Sequence, residues 1–162
     1  MNHLLAEKQG LKLAHPVGVD LNAAAITGER ISLEKGDRVA IVFQGGASTG
    51  ATVQLTLRQH DAPVSGNSKN LESDNPIYVK AGSATVFTKI VPTSKAALKD
   101  LSTQLGGAAG IAVIEVLAEE LDVDGGFKYV SVDIADAGAA KLASTMYVLS
   151  NVRYAPAYAE AL

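Results

Sequence analysis

Apolar positions in this chain recur mostly with a period of two. In residues 29–44, Ile31 and Leu33 alternate with polar neighbours, and Val39, Ile41 and Phe43 do so again after a Lys-Gly-Asp turn. Such alternation lays one face of a strand on a core and leaves the other to solvent. Residues 52–59 repeat it most cleanly, with Val53, Leu55 and Leu57 inward and Thr52, Gln54, Thr56 and Arg58 outward. A half-buried antiparallel sheet is the natural inference.

The second half carries the longest β-rich runs. Residues 111–121 and 127–134 bracket Asp122-Val123-Asp124-Gly125-Gly126, which predicts an antiparallel hairpin. A third run, 146–154, follows the small-residue bridge 135–144, and shorter strands are expected at 77–80 and 85–91, the latter stopped by Pro92. One helix is predicted over residues 95–105. Leu98, Leu101 and Leu105 share a face there, Thr93 or Ser94 can cap it, and Gly106-Gly107 closes it. Residues 60–76 are polar and turn-rich, a loop long enough to suggest a contact role. The tally is about eight strands at roughly ten-residue spacing, which predicts a sandwich or barrel.

Residues 1–28 fit this rhythm poorly. Leu4, Leu5, Leu11, Leu13, Val17, Val19, Leu21 and Ile26 are apolar, but Gly10, Pro16, Gly18 and Gly28 interrupt any regular element. Two readings stay open: a terminus lying across its own domain, or an arm that leaves the domain and packs on a neighbour. The division expected is an N-terminal arm over residues 1–28 and a single β-sandwich domain over residues 29–162.

Composition narrows the function classes. The chain is 48% hydrophobic but only 5% aromatic, with no Trp, so its core is built of aliphatic side chains. With no Cys it has no disulfide framework, thiolate metal site or thiol nucleophile. A net charge of −3, with scattered basic residues, gives no footprint for nucleic acid. No apolar run approaches the ~20 residues that span a bilayer, and the opening residues lack the regions of a signal peptide. Synthesis in the cytoplasm is the expectation.

Candidate chemistry is sparse. The loop 45–50 is Gly-rich, but Ala51-Thr52 and a strand follow it where a phosphate loop needs Lys-Ser/Thr and a helix. Counted from Asp122, the calcium-loop positions five, six and twelve fall on Gly126, Phe127 and Asp133, which breaks the ligand pattern. His3, His15 and His60 lack metal-site spacing. Glu115, Glu119 and Glu120 are expected on solvated strand faces, within reach of Lys128 or Lys141. Ser48, Ser65, Ser83 and Ser144 lie outside any nucleophile elbow. No enzyme activity, cofactor or metal is expected.

Several short stretches carry a likeness: Asp61-Ala62, Ser68-Lys69, Ile114-Glu115-Val116 with Leu121-Asp122, Gly126-Phe127-Lys128-Tyr129-Val130, and Tyr147-Val148-Leu149 with Arg153-Tyr154 in the ending 151–156. Together, over roughly residues 37–156, they resemble the jelly-roll capsid cement or decoration proteins of tailed bacteriophages; the helix expected at 95–105 has no counterpart in that pattern. The fold expected is a jelly-roll-like all-β sandwich with one short helix and an extended N-terminal arm; the resemblance implies the jelly roll, and the residue pattern the helix and the arm. It also implies a non-enzymatic virion protein, made in the host cytoplasm and placed on the outer capsid surface. Such a protein binds across major capsid protein subunits and stabilises the expanded head, as a homodimer or homotrimer, without nucleic-acid or membrane partners. Contact candidates are Leu4, Leu5, Leu11, Leu13, Val17 and Val19 of the arm, with Tyr158 and Leu162 of the tail. Competing readings are a tail or baseplate β-module, a jelly-roll carbohydrate-binding module and a cupin-like metalloenzyme. The last two are weakened by the absent Trp and the scattered histidines.

Overall fold

The structure is a computed structural model that describes residues 9–22 and 24–150. Its elements are β1 (Gly10–Asp20), β2 (Ile31–Ser32), β3 (Arg38–Gly45), β4 (Gln54–His60), β5 (Ser68–Asn70), β6 (Ile77–Ala81), β7 (Thr88–Ile90), β8 (Leu98–Asp100), α1 (Ser102–Leu105), β9 (Gly110–Leu117), β10 (Tyr129–Ile134) and β11 (Leu142–Ser150). They form two antiparallel sheets. One has the order β1-β11-β3-β9-β6-β7, the other β2-β10-β4-β5 with β8 also on β4. The chain alternates between them, since β1, β3, β9 and β11 lie in the first and β2, β4 and β10 in the second. That is the strand order of a jelly roll.

The alternating positions meet between the sheets. Val39, Ile41 and Phe43 of β3, Ala112, Ile114 and Val116 of β9, and Leu55 and Leu57 of β4 are fully buried, as are Val130 and Val132 of β10. Each such Val, Leu, Ile or Phe side chain contributes about 1.5–3 kcal/mol. Tyr147 is the largest buried side chain; its hydroxyl crosses the core to accept the Val132 N–H of the other sheet at 3.0 Å.

Strands β5 and β8 are two halves of one edge strand. Residues 68–70 pair with the His60 end of β4, and residues 98–100 pair with its Gln54 end. Between them Leu57 accepts from the Leu71 N–H and donates to the Ala97 carbonyl, both at 3.0 Å. Residues 71–97 are therefore an excursion spliced into a continuous ladder. It crosses to the other sheet and adds β6 and β7 beside β9.

Four expectations change. The runs 111–121 and 127–134 are not a hairpin: β9 sits between β3 and β6, while β10 lies in the opposite sheet between β2 and β4. Alternation reveals a half-buried strand but not its partner, and the connection around Asp122–Gly126 is a crossover between sheets. The Gly-rich loop 45–50 likewise joins strands of different sheets.

The helix expected at 95–105 forms only over its last turn, Ser102–Leu105, while Leu98–Asp100 is strand. Leu98 is exposed, and Ala97, Lys99 and Leu101 turn inward with period two. The unpaired edge of β4 outweighs the helical spacing of the leucines, leaving the single turn α1, whose first N–H and hydroxyl Ser102 donates to Asp100. The loop expected at 60–76 contains β5.

The boundary at residue 28 also falls inside the sandwich. Residues 10–20 pair with β11 along the sheet edge, and Ile26 bridges Ile134. Register shifts after Leu13 and His15 accommodate Pro16 and Gly18, the latter at φ +77°. The residues that broke the sequence pattern are thus edge-strand irregularities, which discourage further strand pairing.

Candidate protein-interaction surface

Among the described residues, two surfaces carry apolar side chains that the core does not bury. The first is the hairpin β6–β7. β7 is hydrogen-bonded only to β6, so its other side is a free edge among the described residues. Gly82, at φ +57°, turns the chain, and residues 82–89 are all exposed. Val86 is 70% exposed, Phe87 48% and Val91 63%. Lys80, Lys89, Lys95 and Lys99 lie between Pro76 and Asp100, a span with no Asp or Glu in a chain of net charge −3. The arm is basic on an acidic protein.

Its base is firmly tied. Ser73 and Ala96 exchange two main-chain hydrogen bonds at 3.2 Å, and the buried Lys99 ammonium donates to the Ser73 carbonyl at 2.6 Å. Burial lowers the Lys99 pKa, against the pull of Glu120 and Asp74. Asn75 donates to the Glu115 carbonyl at 3.0 Å and to the Glu120 carboxylate at 2.8 Å.

The second surface is the outer face of the six-stranded sheet. In register, Leu13, Met146, Val42, Val113 and Tyr78 form one row across β1, β11, β3, β9 and β6. Leu11, Val148 and Ala40 form a parallel row beside it. Outward positions of a solvated sheet are ordinarily polar; these are apolar. That second row continues from Ala40 to Glu115 on β9, whose carboxylate is joined to Arg38 at 3.4 Å.

Of the contact candidates read from the sequence, Leu11 and Leu13 lie on this outer face. Val17 projects from the irregular part of β1, and Val19 packs partly against the core. Leu4, Leu5, Tyr158 and Leu162 lie outside the described residues. Sequence reading missed Val42, Val113 and Met146 on the face and Val86 and Phe87 on the arm. The available signal was apolar residues at the outward positions of otherwise alternating strands.

The buried polar groups of the described residues make structural ties. His60 is buried, with Nδ1 2.6 Å from the Ser68 hydroxyl and Nε2 2.8 Å from that of Ser131. Burial, then the charges of Arg30 and Arg58, bring its pKa down to about 4. No carboxylate orients the ring as a base for either serine. His15 is buried beside Gly28 with neither ring nitrogen hydrogen-bonded, and burial lowers its pKa. Among the described residues no group of three or more His, Cys, Asp or Glu is placed to hold a metal ion, and no helix is long and apolar enough to cross a membrane. Glu115 pairs with Arg38, and Lys128 pairs with Glu34 at 2.8 Å. The buried Lys141 donates to the Gly46 and Ala108 carbonyls at 2.5 and 3.1 Å, with its pKa lowered by burial.

No family model matches the chain, and no curated protein matches it. Among solved structures it is similar to one titled "Structure of infectious bursal disease virus Gx strain", at 12% identity and a TM-score of 0.20, over 96% of this chain and 40% of that chain. A likeness of that size carries no argument about fold or function.

Proposed function

We propose that the protein is a non-catalytic virion subunit, a jelly-roll cement protein that binds major capsid protein subunits of an expanded phage head from the outside. The observation that carries the binding role is the β6–β7 arm, whose free strand edge and exposed Val86 and Phe87 sit among lysines. An exposed edge can extend a neighbour's sheet through main-chain hydrogen bonds, while alternate side chains set specificity. The virion setting is supported by the sequence resemblance. Packed DNA pushes a shell outward, and many modest contacts opposing that pressure act together. The terminal candidates Leu4, Leu5, Tyr158 and Leu162 remain part of this reading.

The test is co-sedimentation of the purified protein with expanded, DNA-free capsids that lack it. Saturable binding at a fixed ratio to the major capsid protein, with raised heat resistance, supports the proposal. Failure of the folded, monodisperse protein to bind overturns it in favour of a tail or baseplate module.

A further inference from the structure

We infer that the outer face of the six-stranded sheet is covered by the same face of a second copy, forming an isologous dimer. This rests on the reading of the chain as a binding subunit and names the partner of one surface. The row Leu13–Met146–Val42–Val113–Tyr78 spans five strands with Val42 at its midpoint. A two-fold axis in the plane of the interface, running along β3, lays that row on itself in reverse. Val42 then meets its copy, Met146 meets Val113, and Leu13 meets Tyr78. Long flexible side chains fall opposite a small β-branched one and a ring, a self-complementary arrangement of the kind a two-fold interface requires.

Size and charge agree with this occupant. β3 and β9 are each 8 residues long. Five strands ~4.8 Å apart and ~27 Å long present roughly 650 Å², within the roughly 600–1,000 Å² per partner of a stable interface. The row through Val42 contains no charged residue, and Glu115, which follows Ala40 in the neighbouring row, is neutralised by Arg38 at 3.4 Å. The lysine-bearing arm, in contrast, repels its own copy.

The test is sedimentation equilibrium of the full chain across the micromolar range. A dimer is expected, with a dissociation constant in that range or tighter. Val42→Lys sets two ammonium groups against each other at the axis and should weaken association at least a hundredfold. Circular dichroism and the thermal midpoint establish that the variant folds, and Val42→Thr, which keeps the shape, should remain measurably dimeric. A wild-type monomer throughout the range overturns the inference, as does a folded Val42→Lys variant that still dimerises. A dimer abolished by removing residues 151–162 but not by Val42→Lys overturns it too. The capsid assay reads separately: a dimer that binds no capsid leaves this inference standing, and a capsid-binding monomer removes it.

Discussion

The Tyr147 hydroxyl accepts the main-chain N–H of Val132 at 3.0 Å, tying the two sheets through the core. Leu57, opposite Val132, directs its own N–H and carbonyl away to Ala97 and Leu71. The Val132 N–H thus has a side-chain partner where a ladder would supply a main-chain one. Tyr147→Phe keeps the ring and removes that acceptor. Leaving a buried donor unsatisfied should cost about 1–3 kcal/mol, read as a lower urea midpoint with an unchanged m-value. An unchanged midpoint would show that Val132 finds another acceptor.

Gly28 lies against the same tie. A Cβ there would come 2.2 Å from the Val132 carbonyl and 3.2 Å from both the Tyr147 hydroxyl and His15 Cε1. The nearest atom is backbone in a central strand, which cannot swing aside. Gly28→Ala should destabilise by roughly 1–3 kcal/mol or more through overpacking. Gly50→Ala is a contrasting control: nothing lies within 4 Å, but φ is +75°, so its cost comes from backbone strain alone.

Acid should weaken the fold through His60. Its folded pKa of about 4 lies below the ordinary 6.5, so the unfolded chain binds more protons between those values. Stability therefore falls as pH drops from 6.5 to about 4 and this contribution levels off below. His15 acts in the same direction. Asp100, held below 3.8 by Ser102, loses its contribution only in more acid solution. Urea midpoints of wild type and His60→Gln should converge or diverge only across the histidine window; parallel curves would exclude His60 as the source.

The arm separates binding from stability. Val86→Ser with Phe87→Ser alters exposed side chains, so the thermal stability should stay within about 0.5 kcal/mol. Capsid co-sedimentation should fall tenfold or more. Unaltered binding by the double variant would move the contact to the termini. Their deletion should stop at residue 9, because Gly10 opens β1.

Strand content and core were legible because period-two burial is local: Val39, Ile41, Phe43, Val53, Leu55 and Leu57 all point inward as their alternation requires. The candidate interaction surface was only half legible. Leu11 and Leu13 were named, but as parts of an arm, because Pro16 and Gly18 look like chain breaks until β11 is alongside.

The sequence alone determined which residues of the alternating strands bury, since each strand's pleat carries that information along itself. Tertiary structure decided which strand lies beside which. It sent β9 and β10 to opposite sheets, drew residues 98–100 out of a helical spacing onto the open edge of β4, and aligned Leu13, Met146, Val42, Val113 and Tyr78 in one row. Pairing depends on main-chain hydrogen bonds between segments distant in the chain, and every residue but proline offers the same donor and acceptor. Side-chain order therefore cannot encode it locally.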